Sequence, residues 1–457
     1  MKPNTIVLAL AATAVIATAA AAQQPTPPAP AQPAPTPAPL VNPNARRVTL
    51  AEALQLGREY NPSQVQAQQN LRVANMAVTQ AWGAYLPSVS ATAGSSKSSS
   101  QRYNSATGQV VSAPGDQSSF GLSANLSLFT GFQRGANQRA ANATRDLNQA
   151  AMLQQDYATD LNTKQAFFNS LATQELVGVA QANLARSDQQ LKLTSEKLRL
   201  GATTRSDSLQ ASVDYGNAEV QLIQARANAL TAQANLARAI GSEGMAAAIP
   251  DTALEIRLPA LDTATLRHDA EANAPTVVEA QAAVSAADAS RAANRAQYFP
   301  TLSLGANQRW AGQILLPWNP VVAGPKYTGT WSLSLSLNYP LFNGFQREAS
   351  IVNADANYQA AQAKRRDARL GLDASLTQEL TALDAAGAQI DVARTTVAAA
   401  QEALRMQRER YRLGASTIVD LLTAETTLNQ AEVGLVQARY NYLIARAQLE
   451  ALVGHAL

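Results

Sequence analysis

The chain has 457 residues, a formal net charge of +3, no cysteine, and 46% hydrophobic but only 5% aromatic residues, much of the apolar share being alanine. Without cysteine there is no disulfide framework, no thiolate metal site and no acylated N-terminal cysteine. A near-neutral balance, with aromatics not interleaved with Lys or Arg, argues against a nucleic-acid partner.

Taken in chain order, Lys2 and the apolar run 6–22, broken only by Thr13 and Thr18, read as a secretory signal with cleavage expected after Ala22. Residues 23–45 form a Pro/Ala/Gln leader too poor in large apolar groups to make a core, expected to run extended. An amphipathic turn, TLAEALQLGREYNP, spans Thr49 to Pro62, and a helix follows to Ala84 with proline in its tolerant first turn. Val89, Ala91 and Ala93 then alternate with Ser88, Ser90 and Thr92, and Phe120, Leu122, Ala124, Leu126 and Leu128 alternate with Gly121, Ser123, Asn125 and Ser127. This period of two predicts strands with one oily and one polar face. The intervening 97–117 is expected to be an exposed loop.

No proline occurs between Pro114 and Pro250, and the Ala/Gln/Leu/Arg-rich stretch 133–199 predicts one continuous helix about 100 Å long. A turn at Gly201 leads to a second helix, whose seam Ser208, Ala211, Tyr215, Ala218, Leu222, Ala225, Ala229, Ala232, Leu236, Ala239 keeps the 3,4 spacing of supercoiled packing. Residues 242–262, with Pro250 and Pro259, read as a linker.

Then the whole order recurs. LFTGFQR at Leu128–Arg134 returns as LFNGFQR at Leu341–Arg347, 213 residues later, and Tyr85-Leu86-Pro87 returns at the same offset as Tyr298-Phe299-Pro300. Gly201 with Asp207 and Gly414 with Asp420 keep the offset too. A period this long means a duplicated, domain-sized module, the first repeat at 46–241 and the second at 263–457. The second predicts strands around Leu302, Leu304 and Ala306 and around Trp331, Leu333, Leu335, Leu337 and Tyr339, with an exposed loop at 308–327. It also predicts a long helix at 346–412 and a final helix with the seam Leu421, Ala424, Leu428, Ala431, Leu435, Ala438, Tyr442, Ala445, Leu449, Leu452.

Four strands, in hairpins 87–129 and 300–342, with leucine on one face and serine on the other have no core to bury and cannot close alone, since the smallest bacterial barrels need about 8 strands. Several copies are expected to close a barrel in a membrane. Tyr85, Phe129, Phe132, Tyr298, Phe299, Tyr339, Phe342 and Phe345 at one end, with Trp310, Trp318, Tyr327 and Trp331 toward the other, are placed as interfacial girdles should be. The competing expectation is a soluble, half-buried sheet with these aromatics as core.

Chemistry is sparse: His268 and His455 lie in no metal or triad spacing, and no phosphate loop appears, so neither an enzyme nor a cofactor is expected. At the tips, Arg199-Leu200-Gly201-Ala202-Thr203-Thr204 and Arg412-Leu413-Gly414-Ala415-Ser416-Thr417 are near-identical turns, each with glycine to end one helix and threonine to cap the next. Asp207 and Asp420 stand at the capping-box spacing, so helix capping and a pore role stand side by side for both.

The set TLAEAL…NP, YLPSVS at Tyr85–Ser90, LFTGFQR, LFNGFQR and RYRLGASTIVDLLTAETTLNQAE at Arg410–Glu432 resembles the TolC family of outer-membrane efflux proteins across essentially the whole mature chain. The resemblance implies an α+β membrane protein: a homotrimer whose four strands per protomer make a 12-stranded barrel in outer-membrane lipid, continued through the periplasm by an antiparallel coiled-coil tunnel. It implies a passive exit duct for efflux or type I secretion, with a periplasmic adaptor and an inner-membrane pump as partners. Leu200, Gly201, Ala202, Thr203, Leu413, Gly414, Ala415 and Ser416 would meet the adaptor. Asp420 matches the first aspartate of the family's constricted aperture, Thr423 stands where its second carboxylate is usual, and Tyr411 matches a latch tyrosine. Ser416 replaces the usual tip arginine, leaving Arg205 or Arg412 as candidate substitutes. The rival from another class is a non-conducting coiled-coil scaffold or adhesin anchored by a small barrel.

Overall fold

A computed structural model describes residues 45–250, 263–312 and 328–457. The expected signal, nearly all of the leader, part of the linker, and Trp318 and Tyr327 lie outside the described residues.

The first repeat runs β1 (Arg46–Val48), α1 (Leu50–Tyr60), α2 (Pro62–Gly83), β2 (Ser88–Asn104), β3 (Gln109–Phe129), α3 (Gln133–Arg199) and α4 (Arg205–Ala239). After β4 (Ala246–Ala248), the second runs α5 (Thr263–Asn273), α6 (Pro275–Arg295), a 3-10 turn at Ala296–Tyr298, β5 (Thr301–Gly312), β6 (Thr328–Asn338), α7 (Gln346–Arg412) and α8 (Ile418–Val453). α3 and α7 are both 67 residues long, about 100 Å at 1.5 Å per residue. Local chemistry sets the starts: the Thr49 hydroxyl accepts from the Glu52 amide at 3.3 Å, and the Asn61 side chain accepts from the Ser63 amide at 3.0 Å ahead of Pro62.

The sheet order is β2-β3-β5-β6, all antiparallel, so the two hairpins meet through β3 and β5. Two sequence expectations are corrected here. Residues 97–117 are not a loop: β2 and β3 pair continuously from Ser88↔Asn125 to Asn104↔Gln109, and the turn is confined to 105–108, where Gly108 supplies φ +66°. Residues 308–312 likewise continue β5. Backbone pairing needs no oily face, so a strand without side-chain alternation gives no period to read. Within the described part of the expected linker, 242–250, β4 pairs in parallel with β1, Val48 opposite Ala248.

Strand passes to helix by the same device in both repeats. Gly131 and Phe132 (φ +62° and +67°), and Gly344 and Phe345 (+66° and +64°), are consecutive left-handed residues that turn the chain sharply; the two phenylalanines are the only described non-glycines with positive φ. The arginine of each motif secures the turn. Arg134 lies 4.9 Å from the Tyr85 ring centre and donates to the Leu128 carbonyl at 2.7 Å, while Arg347 lies 4.3 Å from the Tyr298 ring centre.

The core lies where the repeats meet. Phe167, Phe168 and Leu171 of α3 pack with Leu236 and Ile240, with Val48, Ala246 and Ala248 of the small sheet, and with Val436 and Tyr440 of α8. Charged groups bind the same seam: Lys164 to Glu450 at 2.5 Å, Arg186 to Glu432 at 2.9 Å, and the Tyr440 hydroxyl donating to Glu175 at 2.7 Å. Burial and that bond push the Tyr440 hydroxyl pKa well up.

Candidate functional site at the helix tips and strand faces

Pairing across the sheet aligns chemistry into rows. Ser90, Ser123, Asn307 and Ser332 are mutual cross-strand partners, and the Ser90 and Ser123 hydroxyls lie 2.7 Å apart. One residue along, Val89, Ala124, Ala306 and Leu333 form the matching row on the other face. The alternation runs through the rows that all four strands share, and toward the helices a bulge at Leu128 returns Phe129 to a position opposite Leu302. Trp331 (78% exposed), Leu333, Leu335 and Leu337 form the oily face of β6 and are all exposed. The half-buried soluble sheet does not fit this arrangement: no described helix covers these leucines, and both faces of β6 are open. On the same face Phe120 stacks on Trp310 at 5.5 Å.

The remaining girdle candidates gather where strand becomes helix. Phe132 makes edge contacts with Phe129 and Phe299, at 5.4 and 5.5 Å, and Phe342 does so with Phe345 at 5.4 Å. Tyr339 is exposed beside them, and Tyr85 and Tyr298 carry the arginines described above.

At the opposite end of the helices, Gly201 and Gly414 sit at φ +72° and +74° between Leu200 and Ala202 and between Leu413 and Ala415. Thr204 and Thr417 head complete capping boxes with Asp207 and Asp420. Asp207 Oδ2 accepts from the Thr203 hydroxyl at 2.6 Å and the Thr204 amide at 3.3 Å. Asp420 Oδ2 accepts from the Thr417 hydroxyl (2.8 Å), the Thr417 amide (3.1 Å) and the Ser416 hydroxyl (3.2 Å). The Thr203 hydroxyl foremost holds Asp207 below the ordinary carboxylate range, and the Thr417 hydroxyl foremost does so for Asp420. Both carboxylates therefore cap helices and stay ionised, and Asp420 does so on an exposed surface beside Thr423, whose hydroxyl is taken by the Val419 carbonyl at 2.8 Å.

Tyr411 is tied by a group that sequence reasoning missed. Lys197 Nζ lies 4.2 Å from its ring centre and donates to its carbonyl at 3.5 Å, joining the tip of α3 to that of α7. Nothing in a linear reading pairs positions 214 apart; the lysine showed only as a cation in a helix's last turn. Arg412 binds Glu409 of its own helix at 3.0 Å, and Arg205 is exposed with no ion pair among the described residues. Just inside the tips Arg408 reaches the buried Glu425 at 3.1 Å, and burial raises that carboxyl. His268 and His455 are exposed and far apart in the chain, and no three His, Asp or Glu side chains gather as a metal site among the described residues.

The outer membrane efflux protein family matches residues 53–242 and again 266–455, both repeats in full register with the duplicated architecture. The chain belongs to that family. Among curated relatives of this efflux family, outer membrane protein TolC of Escherichia coli is 27% identical over 378 residues, covering 73% of this chain and 74% of the relative. Protein CyaE of Bordetella pertussis is 27% identical over 412 residues, 88% of this chain and 81% of its own length. In structure the chain is similar to the CmeC outer membrane channel of Campylobacter jejuni, with TM-score 0.75, 16% identity, and 89% and 85% of the two chains covered. It is similar also to the open state of the MtrE outer membrane channel of Neisseria gonorrhoeae, with TM-score 0.70, 22% identity and 89% of each chain covered. The protein is an outer-membrane efflux channel that extends into the periplasm.

Proposed function

We propose that three copies join edge to edge into one 12-stranded barrel and one helical tunnel, that a periplasmic adaptor holds the tip turns, and that an inner-membrane pump delivers substrate into the duct. The observation that carries this reading is an asymmetry between equivalent positions. α8 lies between α7 and α3 and buries Leu422 and Val436 (8% and 7% exposed), whereas their counterparts 213 residues earlier, Leu209 and Ile223 of α4, are 58% and 52% exposed. The first repeat already has the second against it; among the described residues, the second has nothing on its far side. Repeating the internal contact between chains would place α7 of one copy against α4 of the next and β6 against β2, each copy supplying what the other lacks. The same step turned by a third of a circle three times would leave no edge open.

In that assembly the serine rows line a wet lumen and the leucine rows face lipid, between girdles of Trp331 on one side and Tyr85, Phe129, Tyr298, Phe299, Tyr339 and Phe342 on the other. Asp420 and Asp207, kept ionised by their caps, would ring the periplasmic aperture with Tyr411 and Thr423 close by. Opening would be a shift of α8 and α4 against their long partners below the Lys164–Glu450 tie, triggered by adaptor contact at Leu200, Gly201, Ala202, Thr203, Leu413, Gly414, Ala415 and Ser416.

The absence of native cysteine makes a direct test available. Shifting the β3–β5 register by one repeat turns Ser123↔Asn307 into Ser336 of one copy opposite Gly94 of the next. Directly opposed residues lie about 4.5–5.5 Å apart at Cα, within disulfide reach. A Gly94→Cys/Ser336→Cys protein, oxidised in outer membranes, should run as covalent dimers and trimers on a denaturing gel while each single variant stays monomeric. Monomer only, from protein that inserts normally, would overturn the edge-to-edge assembly.

A further inference from the structure

In the rows where all four strands pair, from Ser88–Asn125–Gly305–Ser334 to Gly94–Ser119–Ala311–Thr328, the polar face carries Ser, Thr, Asn, Gly and Ala at every position but one. Arg309, in the alternation of Ser303 and Asn307, is exposed, makes no ion pair with any described residue, and lies toward the hairpin end of β5. Register sets it in a row Thr92, Gly121, Arg309, Thr330, so its neighbour on the β3 side offers no side chain to cover it. The same residues, with Asn307 and Ser332, line a polar recess in the face. A solvated arginine on a sheet's outside would need no explanation; here it is the sole charge in the four-stranded rows of a face otherwise built there from short neutral groups.

We propose that Arg309 forms a cationic ring near the outer mouth of the barrel and gives the exit a preference for anionic groups such as the phosphates and carboxylates of cargo. The inference rests on the trimeric channel proposed above. With strands about 4.8 Å apart and tilted by about 40°, twelve strands give a backbone radius of roughly 12 Å. That compares with a screening length of about 10 Å at 0.1 M salt, and three inward guanidiniums bring their charge closer still to the axis. No path through the barrel then escapes their field. The ring also opposes in sign the carboxylates proposed for the periplasmic aperture, so a cargo anion that has passed the tip meets attraction toward the outer mouth.

The test is planar-bilayer recording of the full-length wild type, Arg309→Gln and Arg309→Lys, with inorganic tripolyphosphate added on the barrel side. In about 0.1 M salt the wild type should show reversible, voltage-dependent block, and Arg309→Gln should need roughly tenfold more tripolyphosphate for the same block. Arg309→Lys should retain it, and about 1 M salt, where screening shrinks to about 3 Å, should abolish it. Equal block of wild type and Arg309→Gln at matched open conductance would overturn the inference. No step conductance from the wild type at all would instead overturn the channel assembly on which it rests.

Discussion

Gly131 and Gly344 occupy equivalent left-handed positions yet have unequal surroundings, and alanine at each measures what a second copy contributes. A Cβ on Gly131 would stand 2.4 Å from the Phe299 Cβ and 2.9 Å from the Ala296 carbonyl, whereas one on Gly344 would meet nothing within 4 Å in its own chain. Both clashing atoms belong to the backbone or its first carbon, so no flexible side chain can swing aside. Gly131→Ala should therefore cost about 1–2 kcal/mol for the left-handed conformation and a further ~1–3 kcal/mol for overpacking. In a lone protomer Gly344→Ala should cost only the first part. In the proposed trimer the partners of Gly344 are Gly83 and Leu86 of the next copy, 213 residues before Ala296 and Phe299, which supply the same carbonyl and Cβ. The second cost then falls on each of three subunit contacts. Gly108→Ala, at φ +66° with open space around it, is the control for conformation alone. Heat dissociation of the detergent-purified trimer, followed on a semi-denaturing gel, should occur at a clearly lower temperature in Gly344→Ala than in Gly108→Ala. Coincident curves for these two variants would rule out a subunit contact at Gly344.

Lys197→Met should loosen the tips: a cation–π contact worth about 0.5–1 kcal/mol corresponds to roughly a 2–5-fold shift toward the open state per protomer, read as raised single-channel conductance, and unchanged conductance would show the contact to be incidental. Glu425 tests the buried pair. Because burial raises its pKa above the ordinary 4.5, the folded state holds that proton more tightly than the unfolded chain, and stability should fall as pH rises from 4.5 through the raised value. Glu425→Gln should flatten that slope in thermal unfolding between pH 4.5 and about pH 7.5, while an unaltered slope would assign the dependence to other groups.

Much of this protein was legible one-dimensionally because its elements are long and locally determined. The bounds of α3 and α7 follow from helix-forming runs without proline that open on LFTGFQR and LFNGFQR and end at RLG, and the capping boxes at Thr204 and Thr417 are four-residue patterns. The leucine and serine faces likewise follow from a period of two, and the duplication from identical words at one offset. The extension of β2 and β3 through 97–117 was not legible, because there the chain pairs its backbone without sorting its side chains. Nor were the contacts that distinguish equivalent positions: Lys197 on Tyr411, Arg186 on Glu432, Phe299 against Gly131. A repeat tells the two halves to fold alike and is silent on which half covers the other. Burial depends on atoms hundreds of residues away, so that choice is made in three dimensions, where the first repeat has the second against one flank and, among the described residues, nothing against the other.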